Sequence, residues 1–147
     1  MKVVTDLIER VKRFKEDINF HIAQIIEENA DLIIAENVEN QLYKEGVDAK
    51  GGRFPDYAES TKQQKQRKGH PTDRVTLRDS GAFHESITLD IRDDEFEVLT
   101  SNETYKWLRR RYGENVLGLR DEFVREFTWQ IVYPELLKRF KVIVYGN

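Results

Sequence analysis

The chain has 147 residues and a net charge of −3, with 35% charged and 39% hydrophobic residues. That length reads as one domain, residues 1–147, large enough to bury a core, and eight Phe, six Tyr and two Trp argue against disorder. The lack of cysteine excludes disulfides and thiolate metal sites, and Met1-Lys2-Val3-Val4-Thr5-Asp6 turns charged too soon for a signal peptide or a membrane span.

From residue 3 to about 43, Val4, Leu7, Val11, Phe14, Ile18, Ile22 and Ile25, then Leu32 or Ile33, recur mostly in steps of three and four. That is the repeat of one helical face, and no Pro or Gly interrupts it. One long helix is predicted, with a break point near Asn29-Ala30-Asp31. Phe20, Ile26 and Ile34 widen its apolar stripe, so the helix is predicted to pack on more than one side. The stripe reads first as core, and the alternative is that part of it also packs on a neighbouring subunit.

Residues 44–75 carry Gly46, Gly51, Gly52, Pro55, Gly69 and Pro71 and few apolar residues. A connection this long is usually functional or disordered. It is predicted to be a protruding arm, mobile in an isolated subunit, with a short polar helix started by Ser60. The charge is uneven. Residues 44–78 hold nine Lys/Arg against five Asp/Glu, whereas residues 81–101 hold one Arg against six Asp/Glu.

Residues 76–91 are the stretch on which the rest turns. Asp79 and Ser80 are both good helix caps, and Gly81 supplies backbone freedom beside them. Ala82, Phe83, His84 and Glu85 make one helical turn. Ile87, Leu89 and Ile91 then alternate with Thr88 and Asp90, as a half-buried strand requires. A charged turn follows, and Phe96, Val98 and Thr100 alternate again, completing a β-hairpin. Asn102 caps a short helix with Tyr105, Leu108 and Tyr112 on one face, and Gly113 stops it. A last helix begins at Arg120 or Asp121, and Pro134 must kink or divide it. Val142, Ile143, Val144 and Tyr145 read as a final strand. Together these elements predict an α+β fold: a long N-terminal helix, a small antiparallel sheet built on a hairpin, a C-terminal helix and the long arm.

No constellation calls for a cofactor. His21, His70 and His84 are unpaired in sequence, and His84 reads as a surface residue on a capped turn. Asp90, Asp93, Asp94, Glu95 and Glu97 would suit a metal-dependent nuclease only if they converged from separate elements. Consecutive turn carboxylates read instead as a solvated hairpin. Lys62, Lys65, Arg67 and Lys68 in the arm, and Arg109, Arg110 and Arg111 after Trp107, are candidates to meet phosphates without reading sequence. The alternative reading of the chain is therefore a nucleic-acid-binding protein.

The order of features resembles the phage head–tail joining family of neck and tail-completion proteins, the virion morphogenesis type. Thr61 and Lys65 match a Thr and a Lys in the polar loop. Ser80-Gly81-Ala82-Phe83-His84-Glu85-Ser86-Ile87 matches a Thr/Ser-Gly-x-Leu-x-x-Ser-Ile element, with Phe83 in place of the Leu. Tyr105 through Gly113 match a Tyr-Ala…Gly helix. Where the family usually carries Pro-x-Arg-x-Phe, this chain has Val116-Leu117-Gly118-Leu119-Arg120. The resemblance implies a structural virion protein, assembled in the host cytoplasm, that forms a ring joining portal to tail. It implies no catalysis. Its partners would be further copies of itself, six- or twelve-fold, and portal or adaptor and tail proteins. The basic residues Lys62, Lys65, Arg67 and Lys68 and the acidic residues Asp90, Asp93, Asp94, Glu95 and Glu97 are then candidate subunit-contact surfaces.

Overall fold

A computed structural model describes residues 2–93 and 95–146. The fold is α+β, as the sequence predicts. In order it has α1 (Lys2–Glu16), α2 (Ile18–Glu28), α3 (Ala30–Ala35), a π-helical stretch (Glu36–Glu45), α4 (Glu59–Arg67), α5 (Ala82–Glu85), β1 (Ile87–Arg92), β2 (Glu95–Thr100) and α6 (Thr104–Tyr112). A 3₁₀ turn (Glu114–Val116), α7 (Asp121–Phe127), a second π stretch (Thr128–Val132) and α8 (Tyr133–Tyr145) complete it. β1 and β2 form the two-stranded sheet. Among the described residues no helix is long and apolar enough to cross a membrane.

The sequence reads as one domain, but backbone contacts group it into two compact units. One holds Met1–Ala30, Ile91–Phe96 and Glu122–Asn147, and the other Asp31–Asp90 and Glu97–Asp121.

In the first unit, α8 packs on α1 and α2. Phe14, Ile25, Ile26, Phe127 and Val144 are buried. The Phe14 ring stacks on His21 at 5.0 Å and meets Phe140 edge-on at 5.2 Å. Arg139 on α8 donates to Gln24 Oε1 at 2.8 Å and Glu28 Oε1 at 2.9 Å, which ties α8 to α2. The break at Asn29 has a local cause. Its side-chain amide donates to Ile25 O at 2.8 Å, and its backbone N–H bonds Ile26 O at 3.1 Å, three residues back instead of four.

The final strand is a correction. Val142, Ile143, Val144 and Tyr145 belong to α8, which ends at Gly146 in the left-handed region (φ 75°). Their β-branched side chains favour a strand in isolation. Inside α8, Val144 is buried, and packing overrides that local preference. Pro134 divides the last helix, as the sequence predicts. α7 passes into a π stretch that ends at Val132, and α8 restarts at Tyr133 with Pro134, which has no N–H to give, in its first turn.

In the second unit one apolar cluster joins Val38, Leu42, Phe54, Tyr57, Val75, Leu77, Phe83, Ile87, Val98, Leu108 and Val116. Ile87 and Val98 are its hairpin members, with Leu89 half-buried against it, so the predicted alternation holds there. The protruding arm is overturned. Val47, Phe54, Tyr57 and Val75, all from 44–75, are core residues. Single apolar anchors spaced without period hold the segment down, helped by a bridge between Val47 and Arg53. Buried amides fasten the 3₁₀ region to the first π stretch. Gln41 Nε2 and Asn37 Nδ2 donate to Gly118 O at 2.9 and 2.8 Å, and Arg120 N–H donates to Gln41 Oε1 at 3.0 Å. The Arg120 guanidinium then spans Glu36 and Glu45.

Candidate functional site: a cationic cleft in the second unit

A cleft of about 540 Å³ opens in the second unit. Three segments wall it: Tyr57 to Lys68 on and before α4, Leu77 to Phe83 around the capped turn, and Asn102 to Tyr112 on and before α6. Each wall is set locally. Asn102 Oδ1 accepts from Thr104 N–H at 2.9 Å and so starts α6, as predicted. Gly113 (φ 95°) ends that helix. Ser80 Oγ accepts from Ala82 N–H at 3.3 Å and Gly81 takes φ 94°, which turns the chain into α5. Asp79 does not cap that turn; its carboxylate accepts from Lys68 Nζ at 2.7 Å. That hydrogen bond holds the Asp79 carboxyl below the usual carboxylate range.

The site residues read from sequence divide by location. Thr61, Lys65, Ser80, Gly81 and Phe83 all line the cleft. Tyr105 supports it from behind, its ring stacked on Phe83 at 6.2 Å with 10° between planes. Ser86 Oγ donates to Phe83 O at 2.6 Å and lies 2.6 Å from Thr100 Oγ1, tying the turn to β2. Ile87 is core.

The basic residues do not form one face. Lys65 is buried despite its charge. Its Nζ donates to Arg78 O at 2.7 Å and sits 4.8 Å from the Tyr57 ring centroid, so this lysine holds α4 down from within. That corrects the expectation of a protruding arm for α4 as well. Lys62 is half-buried and Arg67 exposed, both outside the cleft lining. On α6, Arg109 pairs with Glu114, Arg110 is exposed, and only Arg111 reaches the cleft, lying over the Trp107 and Tyr112 rings. Among the described residues no carboxylate pairs with Arg111. Among the described residues the cleft thus gathers Lys65, Lys68, Arg78 and Arg111 against Asp79 alone.

Of the hairpin carboxylates, Asp93, Glu95 and Glu97 are exposed, Asp90 is half-buried, and Asp94 lies outside the described residues. Among the described residues no group of three or more His, Cys, Asp or Glu is placed to hold a metal. Sequence reasoning missed Arg78 and Trp107 as members of the cleft beside Lys68 and Arg111. Their one signal was position, Arg78 inside the capped turn and Trp107 one helical turn before Arg111.

His84 is the second correction in this region. It is buried, not a surface residue, and its Nε2–H donates to Thr76 O at 2.9 Å. Among the described residues its Nδ1 has no partner. Burial pushes the imidazole below its ordinary value of 6.5. The neutral ring is therefore the folded form. Above about pH 6.5 folded and unfolded chains both carry it neutral, and it adds no pH dependence. Below that, the unfolded chain takes up a proton that the folded chain refuses, and stability falls by up to about 1.4 kcal/mol per pH unit. The parent is expected to lose more melting temperature between pH 7.5 and 5.5 than His84→Gln, measured by circular dichroism. Equal losses would show that His84 titrates normally.

Comparison of the chain with protein families, with curated proteins and with solved structures finds no match.

Proposed function

We propose that this chain is a structural virion protein that forms a closed homomeric ring in a phage head–tail connector, joining portal to tail. The observation that carries self-association is on α1. Val3, Val4, Leu7, Ile8 and Val11 share one face, and all are exposed, Val3 at 79% and Val4 at 54%. They follow the helical repeat that buries Phe14 on the same helix. Together they leave on the order of 400 Å² of apolar surface in water, the size of the largest patch on a typical monomer, which is often functional. Covering it would return about 10 kcal/mol before the costs of association, at roughly 25 cal/mol per Å².

The place of the ring in a virion rests on the sequence resemblance. Six- or twelve-fold symmetry and contact with portal, adaptor or tail proteins follow from the same likeness. The convergence of Thr61, Lys65, Ser80, Gly81 and Phe83 on one cleft supports treating the motif as a single structural unit.

Concentrated protein imaged by negative-stain electron microscopy, beside sedimentation velocity, tests the reading. Closed rings are expected. A chain that stays monomeric at every concentration and with every virion partner present overturns it. A second reading, binding of single-stranded nucleic acid, is favoured by the cations and Trp107 in the cleft, since such grooves combine charge with a stacking surface.

A further inference from the structure

The α1 row alone does not make a ring. A single apolar face that meets its own copy gives a two-fold dimer, which closes at once. The row is also about half of the roughly 800 Å² per partner that a stable interface commonly buries. A ring needs two unlike surfaces that recognise each other head to tail. The charges of the second unit and of the hairpin supply such a pair.

We infer that the cationic cleft binds the acidic face of the β1–β2 hairpin of the next copy, with Lys68, Arg78 and Arg111 receiving Asp93, Glu95 and Glu97. This inference rests on the ring reading and names its contact. Glu95 and Glu97 stand two residues apart on β2, so both project from the same face, opposite the buried Val98. All three carboxylates are exposed. The cleft is the complementary surface: among the described residues its walls carry, besides the buried Lys65, the cations Lys68, Arg78 and Arg111 against one carboxylate, Asp79. The hairpin of the same chain is not the occupant. Asp93, Glu95 and Glu97 are not among the residues that line the cleft of their own chain.

The chemistry sets the division of labour. Lys65 is spent on Arg78 O and stays structural. Lys68 is held by Asp79 and reaches a second carboxylate only by sharing. Arg111 has a planar guanidinium lying over Trp107 at 5.9 Å, with no carboxylate of its own among the described residues. It is therefore the strongest receptor for an incoming carboxylate. Trp107, 57% exposed, offers apolar area beside it.

The test uses two charge-reversed proteins. One carries Lys68→Glu with Arg111→Glu, the other Glu95→Lys with Glu97→Lys. Each has one reversed surface and one native surface, so like charges meet when a copy contacts its own kind. In an equimolar mixture every contact again pairs opposite charges, in alternating order. Each protein alone is expected to associate at least tenfold more weakly than the parent by sedimentation velocity. The mixture is expected to regain rings containing both proteins in equal amounts by native mass spectrometry. Circular dichroism checks folding, and Lys68→Gln with Arg111→Gln repeats the loss with charge removed only.

Rings formed equally well by each reversed protein alone would overturn the contact and leave the ring reading intact. Loss in both proteins without rescue in the mixture would overturn the pairing of these two surfaces. A monomeric parent would overturn the ring reading, and this contact with it. Tight binding of oligo-dT at physiological salt, lost in Lys68→Glu with Arg111→Glu while assembly is unchanged, would overturn the contact in favour of single-stranded nucleic acid.

Discussion

Gln41→Ala is expected to destabilise the chain by about 3 kcal/mol, a fall of roughly 10 °C in melting temperature for a chain of this size. Gln41 is fully buried and holds both ends of one exchange. It donates to Gly118 O and accepts from Arg120 N–H. Its removal leaves the half-buried Arg120 N–H without its acceptor and opens a cavity of several heavy atoms. Asn37→Ala is expected to cost clearly less. Gly118 O keeps Gln41 as a donor, the bond from Asn37 Nδ2 to Val116 O is long at 3.5 Å, and among the described residues Asn37 Oδ1 has no partner to lose. Thermal and urea unfolding of the two variants gives the order. Asn37→Ala costing as much as Gln41→Ala would show that the two amides are not ranked by their partners.

Gly46→Ala is the second large effect, about 2–4 kcal/mol of destabilisation. Gly46 ends the first π stretch in the left-handed region at φ 64°. An alanine Cβ there would sit 3.0 Å from both Val75 O and Arg74 Cβ. Both atoms belong to a buried crossing of two chain segments and have little room to give. Gly51→Ala is the control. It has φ 81° but nothing within 4 Å of an added Cβ, so it bears only the conformational cost, about 1 kcal/mol. Equal melting temperatures for the two variants would mean that the crossing relaxes freely.

Both predictions sit in a part of the fold that the sequence reading described poorly, and the reasons are physical. The hairpin was legible because alternation at Ile87, Leu89, Phe96 and Val98 is a period-two signal. The helix Thr104–Tyr112 was legible because a capping Asn and a terminal Gly bracket three apolar residues in helical register. The segment 44–75 has no period to read. Its four core residues each enter the interior singly from irregular backbone. Lys65 defeats composition outright, since a long aliphatic stem can be buried while Nζ finds a carbonyl. The cleft was half legible: Lys65, Lys68 and Arg111 were picked out as basic groups, but sequence carries no distance between α4 and α6. The strand expected at Val142, Ile143, Val144 and Tyr145 came from side-chain branching, which packing overrode.

The way the chain threads its two units bears on synthesis. Most of the second unit is one run, Asp31–Asp90, joined by Glu97–Asp121. It can close its core while the last helices are still being made. The first unit has no such option. Arg10 donates to Val144 O, and Gln24 and Glu28 receive Arg139, pairs separated by more than a hundred residues. Until Tyr133–Tyr145 leaves the ribosome, α1 and α2 have no α8 to pack on, and Phe14 and Ile25 wait in water beside the already exposed row of α1. Helix α1 is thus made well before the helix that covers it, and the nascent chain carries the apolar row of α1 uncovered over that interval.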